Sequence, residues 1–160
     1  MTFKEQLQKI KSTELYKDID ENAYLTHVSM IEEENKKSSW EYGFFNPETQ
    51  KITVIESEPL KLREPDDVLN RDGDVAELNL DEVELSVEEL YKLVDKVAED
   101  KNASLITKKI LILQKLNEGV VWNVTYLTKD YNLLNIKVNA KNGAVLHTEF
   151  HSVFDLGLRK

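Results

Sequence analysis

Cysteine is absent from this chain of 160 residues. Its absence excludes disulfide bonds, thiol chemistry and zinc sites built on cysteine ligands. Long apolar runs are absent too. The first residues, MTFKEQLQKI, lack the apolar core of a signal peptide, and no run approaches the roughly 18 residues needed to span a bilayer. As the sequence is written, we expect a cytoplasmic protein with no membrane insertion, or an extracytoplasmic one if a signal peptide has been removed.

Recognisable catalytic motifs are also missing. The sequence contains no G-x-S-x-G element, and its five glycines form no phosphate-binding loop (Gly43, Gly73, Gly119, Gly143 and Gly157). The carboxylates are numerous and distributed as surface residues are, so no catalytic pair stands out. We therefore expect no enzyme activity, no catalytic residues and no cofactor.

The composition and charge are those of a soluble, acidic, globular chain. Hydrophobic residues make up 41% and charged residues 32%, and the net charge of −9 argues against a nucleic-acid or anionic-membrane partner. The segment from Glu64 to Leu85 contains nine acids and one base, Arg71, and so carries −8 of this charge. The acidity therefore belongs to one stretch, which would favour a basic partner.

Part of that stretch, Asn70–Asp81, resembles a calcium-binding loop. Asn70, Asp72 and Asp74 stand at the first, third and fifth positions of an EF-hand pattern. The sixth position, however, is Val75 where a sharp turn needs glycine, and the twelfth is Asp81 where a bidentate glutamate is usual. We interpret the segment as a solvated acidic turn, with Asp72, Asp74 and Glu77 as candidate binding residues.

Two helix starts indicate an internal repeat. Thr2-Phe-Lys-Glu5 and, 84 residues later, Ser86-Val-Glu-Glu89 both read as capping boxes. Apolar residues follow each start at helical spacing: Phe3, Leu7 and Ile10 in the first, and Val87, Tyr91 and Val94 in the second.

After each helix the apolar period changes to two, which is typical of strands. Trp40-x-Tyr42-x-Phe44 is echoed 82 residues later by Trp122-x-Val124-x-Tyr126, and Pro59–Glu64 matches Ala144–Glu149 at about 85. We expect these six alternating residues to line one sheet face beneath a helix. A second alignment competes, because Phe45–Ile52 also resembles Lys137–Val145 at about 93 residues. The shorter offset accounts for both helix starts and both tryptophans.

The sequence thus predicts an α+β fold of two tandem α-β-β-β-β repeats, each an antiparallel sheet with a helix packed on one face. Residues 1–64 form the first repeat, 65–85 an acidic linker that is partly strand, and 86–160 the second. Ala76, Leu78 and Leu80 in the linker lead us to expect that some of it adds an edge strand or packs across both halves.

The stretch from Trp122 to Leu146 resembles the PepSY domain. That family has a strand led by tryptophan or tyrosine, a short hairpin, a V-D-A-x-T-G-x-V turn and a final strand. Here Val138–Val145 occupies the turn, with Asn139 at the usual aspartate and Asn142 at the usual threonine. Trp40–Ile55 looks like a more distant copy, with Asn46–Gln50 as its turn.

The resemblance implies a PepSY/cystatin-like fold and a role in peptidase inhibition or cell-envelope regulation, without catalytic residues. Members of the family are mostly secreted or membrane-attached, whereas no signal is visible here. The tandem arrangement also resembles that of beta-lactamase-inhibitor protein, a likeness of architecture that does not fix function.

A second candidate site is the alternating set His147, Glu149 and His151. On a strand these residues share a face, and neighbours lie about 6.6–6.8 Å apart. His147 and Glu149 could hold one metal ion together, but zinc needs at least three protein ligands. We interpret the set as polar residues on the exposed face of a final strand, where a partner could bind.

We therefore expect a non-catalytic module that binds a protein or peptide, with a peptidase-inhibitory or regulatory role. One alternative is a small-ligand or metal-binding protein or enzyme, with a site between helix and sheet or at His147 and Glu149. Another is a structural module that oligomerises through its edge strands. The sequence leaves the oligomeric state open.

Overall fold

A computed structural model describes residues 1–68 and 75–154. Two helices, α1 (Phe3–Lys11) and α2 (Val87–Asp100), each precede a series of strands. The first series is β1 (Tyr24–Glu33), β2 (Lys36–Lys37), β3 (Glu41–Asn46), β4 (Lys51–Ser57), β5 (Leu60–Leu62) and β6 (Asp66–Asp67). The second is β7 (Ile106–Leu116), β8 (Gly119–Thr128), β9 (Asn132–Asn139) and β10 (Val145–Ser152). Short 3-10 turns lie at Leu15–Asp18 and Leu80–Glu82.

The strands form a single antiparallel sheet in the order β10-β9-β8-β7-β1-β3-β4-β5, with β2 beside β1 and β6 beside β4. The predicted α+β class with antiparallel strands is confirmed. The expectation of one sheet per repeat is corrected, because β1 pairs with β7 from His27–Gln114 to Glu33–Lys108. Two strands that are distant in sequence thus join the halves edge to edge.

Both helices begin where the sequence predicts, because a hydroxyl residue precedes each one. The Thr2 hydroxyl accepts a hydrogen bond from the Glu5 amide at 3.2 Å. At α2 the capping box is complete: Ser86 Oγ accepts from the Glu89 amide, and the Glu89 carboxylate accepts from the Ser86 amide. Such caps satisfy amides that have no partner within the helix.

The core lies between the helices and one face of the sheet. The six aromatic and apolar residues predicted from the repeat all belong to it, with Trp40 packed at its margin. The two tryptophans meet there: the ring centroids of Trp40 and Trp122 lie 6.1 Å apart, and Phe3 of α1 lies 5.3 Å from Trp40 and 5.7 Å from Trp122. One aromatic cluster therefore spans both halves.

The linker contacts both halves, as expected from its apolar residues. Leu78 and Val83 are buried, and the Leu78 amide donates to the Leu25 carbonyl of β1 at 2.8 Å. The Glu84 and Leu85 amides both donate to the Ala140 carbonyl, which follows β9. Two linker residues, Asp66 and Asp67, form the short strand β6.

The β9–β10 turn has the predicted left-handed glycine, Gly143, at φ +78°. Asn139 Oδ1 accepts from the amides of Lys141 and Asn142, so the asparagine supplies the side-chain acceptor of the turn.

The turn after β3 repeats this chemistry. Asn46 Oδ1 accepts from the Glu48 amide at 2.9 Å, and Gln50 has φ +62°. This turn joins β3 to β4, however, whereas the turn at Asn139 joins β9 to β10. The competing alignment at about 93 residues therefore reflects two similar turns that connect different pairs of strands.

No helix within residues 1–68 and 75–154 has both the length and the apolar character required to cross a membrane.

Candidate functional site: the open face of the sheet

The two faces of the sheet differ because the helices contact only one of them. Phe3 of α1 packs against Trp122, and Asp95 of α2 accepts a hydrogen bond from Tyr126. Trp122 and Tyr126 alternate along β8 with residues that point the other way. We call this opposite side the open face.

Register places the open-face residues of the central strands in three rows, with one residue from each strand. The first row is Ser29, Ile112, Asn123, Lys137 and His147; the second is Ile31, Ile110, Thr125, Asn135 and Glu149; the third is Glu33, Lys108, Leu127, Leu133 and His151. Aliphatic side chains thus lie together across β1, β7, β8 and β9. Ile31 is 36% exposed, and Ile110, Ile112, Leu127 and Leu133 are partly buried.

A hydrogen-bonded polar group lies within this aliphatic area. Asn135 Nδ2 donates to Asn123 Oδ1 at 2.7 Å and to Thr125 Oγ1 at 3.0 Å. These bonds fix the orientation of three side chains on two adjacent strands, so the surface is ordered in the absence of a partner.

The predicted set His147, Glu149 and His151 lies on the edge strand β10, and each of the three residues is the last in its row. His147 Nε2 lies 3.7 Å from Glu149 Oε2, and His151 Nδ1 lies 3.9 Å from Glu149 Oε1. His147 and Glu149 are exposed, as expected. The expectation that His151 points into solvent is wrong, since its side chain is only 7% exposed. It lies directly opposite Leu133 at the end of the strand.

Metal binding finds no support in the arrangement of these groups. Across the residues that the structure describes, no cluster of three or more histidine, aspartate and glutamate side chains could hold a metal ion.

The acidic candidates are only partly described. Asp72 and Asp74 lie outside the described residues, as does Asn70, so the interpretation of the calcium-like loop rests on sequence. Glu77 is exposed and directly precedes Leu78, which anchors the linker to β1.

A groove of about 480 Å³ lies on the helix side, between the N-terminal ends of α1 and α2. Its apolar lining includes Phe3, Met30, Trp40, Val83 and Val87. Lys4 and Lys37 also line it, and Lys4 Nζ donates to the Val83 carbonyl at 2.6 Å. The groove is the kind of concave apolar site that binds small molecules.

A polar cluster beneath α2 was not predicted. Lys109 Nζ lies 3.8 Å from Glu32 Oε2 and 3.9 Å from Asp95 Oδ1, and about 5 Å from the ring centroids of Tyr91 and Tyr126. The Tyr91 hydroxyl donates to Glu32, and the Tyr126 hydroxyl donates to Asp95. Burial, reinforced by these carboxylates, raises the pKa of both tyrosines, so they stay neutral donors.

The sequence did contain a signal for this cluster. Lys109 precedes Leu111 and Leu113 at alternate positions of β7, and Glu32 follows Met30 in the same way on β1. A charged residue on the apolar side of a strand needs a partner, because an unpaired buried charge is costly.

Comparison with known proteins shows a similar fold in one solved structure and no related sequence. No protein-family model matches the chain, and no curated protein matches it in sequence. Its structure is similar to the crystal structure of "a putative lipoprotein" from Clostridium difficile 630, with a TM-score of 0.56 and 16% sequence identity. The similarity covers 94% of this chain and 93% of the other. At this identity the likeness shows a shared fold.

Proposed function

We propose that this protein is a non-catalytic module that binds a protein or peptide partner through its open face. The observation that carries the proposal is the group of partly exposed aliphatic side chains on β1, β7, β8 and β9, on the face that the two helices do not contact. Ordered aliphatic patches with satisfied polar groups are typical of recognition surfaces. The acidic segment, including Asp72, Asp74 and Glu77, selects for a basic partner.

Matched exposed residues allow a test of the binding face. Ile31 on the open face is 36% exposed, and Leu60, on the outer strand β5, is 38% exposed. Proteins captured from the native host by wild-type protein, Ile31→Lys and Leu60→Lys would be identified by mass spectrometry. We expect a specific partner that Leu60→Lys retains and Ile31→Lys loses. Equal capture by all three proteins would contradict the assignment of the open face.

The contribution of the linker needs a separate comparison. A triple variant, Asp72→Asn, Asp74→Asn and Glu77→Gln, removes three negative charges. If the acids select the partner, capture by wild type weakens at high salt and capture by the variant is weak at both salt concentrations. Equally strong capture in all four conditions would mean that the acids do not contribute.

We further propose that the two halves are tandem PepSY-like repeats and that the protein acts outside the cytoplasm, with a regulatory or peptidase-inhibitory role. What supports the repeat is the recurrence of helix, strands and tryptophan at offsets near 84 residues. The description of the similar structure as a lipoprotein is in keeping with a cell-envelope location. Fractionation of cells that express the native gene tests the location, and recovery in the cytosol alone would exclude it.

The groove between the helix ends supports a second candidate function, the binding of a small apolar ligand. Trp40 lines the groove, so its fluorescence should respond to occupancy. Titration with 1-anilinonaphthalene-8-sulfonate, an apolar anion, should quench tryptophan emission in wild type and not in Val87→Phe, whose larger side chain fills the groove without adding a tryptophan. An identical response by both proteins would exclude this site. Resident metal and enzyme activity have no comparable observation in their favour.

A further inference from the structure

Among the residues that the structure describes, β10 is the last strand of the sheet, and its outer backbone groups have no strand beside them. Within the described residues, β10 pairs with β9 alone. The Val153 amide donates to the Tyr131 carbonyl, so the hydrogen-bonded residues of this register are odd-numbered. The amides and carbonyls of Thr148, Phe150 and Ser152 therefore point outward, away from β9. An eight-residue edge of this kind is a template for pairing with another strand.

His151 provides an independent observation on this strand. Its side chain is 93% buried by the residues around it, since only 7% of its surface is exposed. Within the described part of the chain, neither ring nitrogen has a hydrogen-bond partner, and the nearest carboxylate oxygen, on Glu149, is 3.9 Å away. Buried polar atoms are rarely left without a partner. His151 is therefore a polar group beside the free edge whose hydrogen-bonding capacity the described residues leave unused.

We propose that β10 pairs antiparallel with β10 of a second copy of this chain, on a two-fold axis at Phe150. This register joins the outward-pointing groups of Thr148, Phe150 and Ser152 to those of the second copy. It sets Phe150 opposite Phe150, Thr148 opposite Ser152, and Glu149 opposite His151. Aromatic and hydroxyl pairs are among the cross-strand combinations that stabilise sheets, and the Glu149 carboxylate can accept a hydrogen bond from the imidazole opposite it.

Alternative registers fit less well. A two-fold axis at Glu149 would put two carboxylates face to face and would set His151 opposite His147 instead of Glu149. An axis at Thr148 would run into the bulge between Val145 and His147 and would leave His151 without Glu149 opposite. The axis at Phe150 uses only the regular part of the strand, Thr148 to Ser152. The resulting contact is isologous, so it closes as a dimer.

Sedimentation equilibrium of the purified full chain tests the dimer. We expect a concentration-dependent monomer–dimer equilibrium for wild type and for the control His147→Ala, which changes the other imidazole beside Glu149.

Because each dimer contains two Glu149–His151 pairs, Glu149→Ala should raise the dissociation constant at least about tenfold. Thr148→Pro, which removes an outward amide on an edge strand, should also give monomer. A wild-type protein that stays monomeric at the highest soluble concentration would overturn the proposal.

Disulfide trapping tests the register, since the chain has no cysteine of its own. A residue on the two-fold axis meets its own copy, at a separation that suits a disulfide. Oxidation should therefore cross-link the Phe150→Cys variant and leave Thr148→Cys monomeric. The reverse pattern would overturn the axis at Phe150. Circular dichroism of each variant establishes whether it is folded, and an absent cross-link in a folded Phe150→Cys variant would also overturn the axis.

Discussion

At the scale of single residues, the imidazole ring of His27 packs over the backbone of Gly43 on the open face. The two residues are directly opposite in the β1–β3 register, and a Cβ atom at Gly43 would overlap the imidazole ring of His27. The ring also contacts the Thr26 hydroxyl, with 3.2 Å between Oγ1 and Nδ1. Position 43 therefore has to be glycine, because the imidazole ring of His27 occupies the space that a side chain would need.

We expect Gly43→Ala to destabilise the protein by about 1–3 kcal/mol, because the added methyl group forces the ring to move. Urea unfolding measures the loss. His27→Ala removes the clashing ring, so the double variant should lose much less than the two single effects together. Additive losses would show that the ring and the methyl group do not compete for space.

The protonation of His27 should affect stability. Burial, together with the charge of Arg63, lowers the pKa of His27 below 6.5. The unfolded state then binds the proton more readily, so this contribution is complete above about pH 6.5 and is lost as the pH falls below it. The unfolding free energy of wild type should decline there, and that of His27→Gln should decline less. Parallel curves for the two proteins would exclude this source of pH dependence.

Gly143, unlike Gly43, is required for its backbone conformation. Its φ is +78°, and a Cβ atom added at this position would lie in ordinary contact with Leu85 Cδ1 at 3.4 Å, so the cost of Gly143→Val is backbone strain. We expect a loss of about 1–3 kcal/mol in unfolding free energy, with partner specificity unchanged. Gly143→Asn should lose less, because asparagine tolerates the left-handed region. A valine variant as stable as wild type would contradict the strain.

At the scale of elements, α2 is tied to both halves of the sheet by the cluster around Lys109. Glu32 belongs to β1, Lys109 to β7 and Tyr126 to β8, while Tyr91 and Asp95 belong to α2. The side chain of Glu32 is 12% exposed and that of Lys109 is 22% exposed, so their attraction is less screened than that of surface pairs. The cluster therefore positions the helix across the junction of β1 and β7.

Lys109→Met should cost about 1–2 kcal/mol, because it leaves the largely buried Glu32 carboxylate without its cation. Lys96→Met is the matched control, since Lys96 pairs with Asp100 on the exposed side of α2 and should change stability by less than about 0.5 kcal/mol. Thermal and urea unfolding give both values. Equal effects would mean that the buried cluster contributes no more than a surface pair.

Much of this element structure was predictable. The capping residues Thr2 and Ser86 located both helix starts, and the spacing of Trp40 and Trp122 identified the core face, because both signals are local. The pairing of β1 with β7 was not predictable, since alternation shows which face a strand buries but not which strand lies beside it. His151 illustrates the same limit: its face was predicted correctly, but its burial depends on neighbours from other strands.

At the scale of the whole molecule, the two halves share one core. Phe3 from the first half contacts Trp122 from the second, and the seven-residue pairing of β1 with β7 makes the sheet continuous. Neither half could bury its apolar face as well alone.

We accordingly expect one cooperative unfolding transition for the full chain. Tryptophan fluorescence and far-ultraviolet circular dichroism should report the same urea midpoint, because Trp40 and Trp122 belong to the same cluster. Trp122→Phe, which weakens the cluster, should lower the midpoint and keep a single transition. Two separated transitions would indicate that the halves fold independently.

The pairing of β1 with β7 has a consequence for synthesis of the protein. The ribosome releases β1 roughly 70 residues before β7. During that interval the nascent first half carries the outer edge of β1 without its neighbour, and Met30 and Ile31 lie on that strand. An unpaired apolar edge is prone to association with other chains. Slow elongation between β1 and β7, or a shortage of chaperones during that interval, should therefore lower the yield of soluble protein. Slow elongation after β7 has emerged should lower it less.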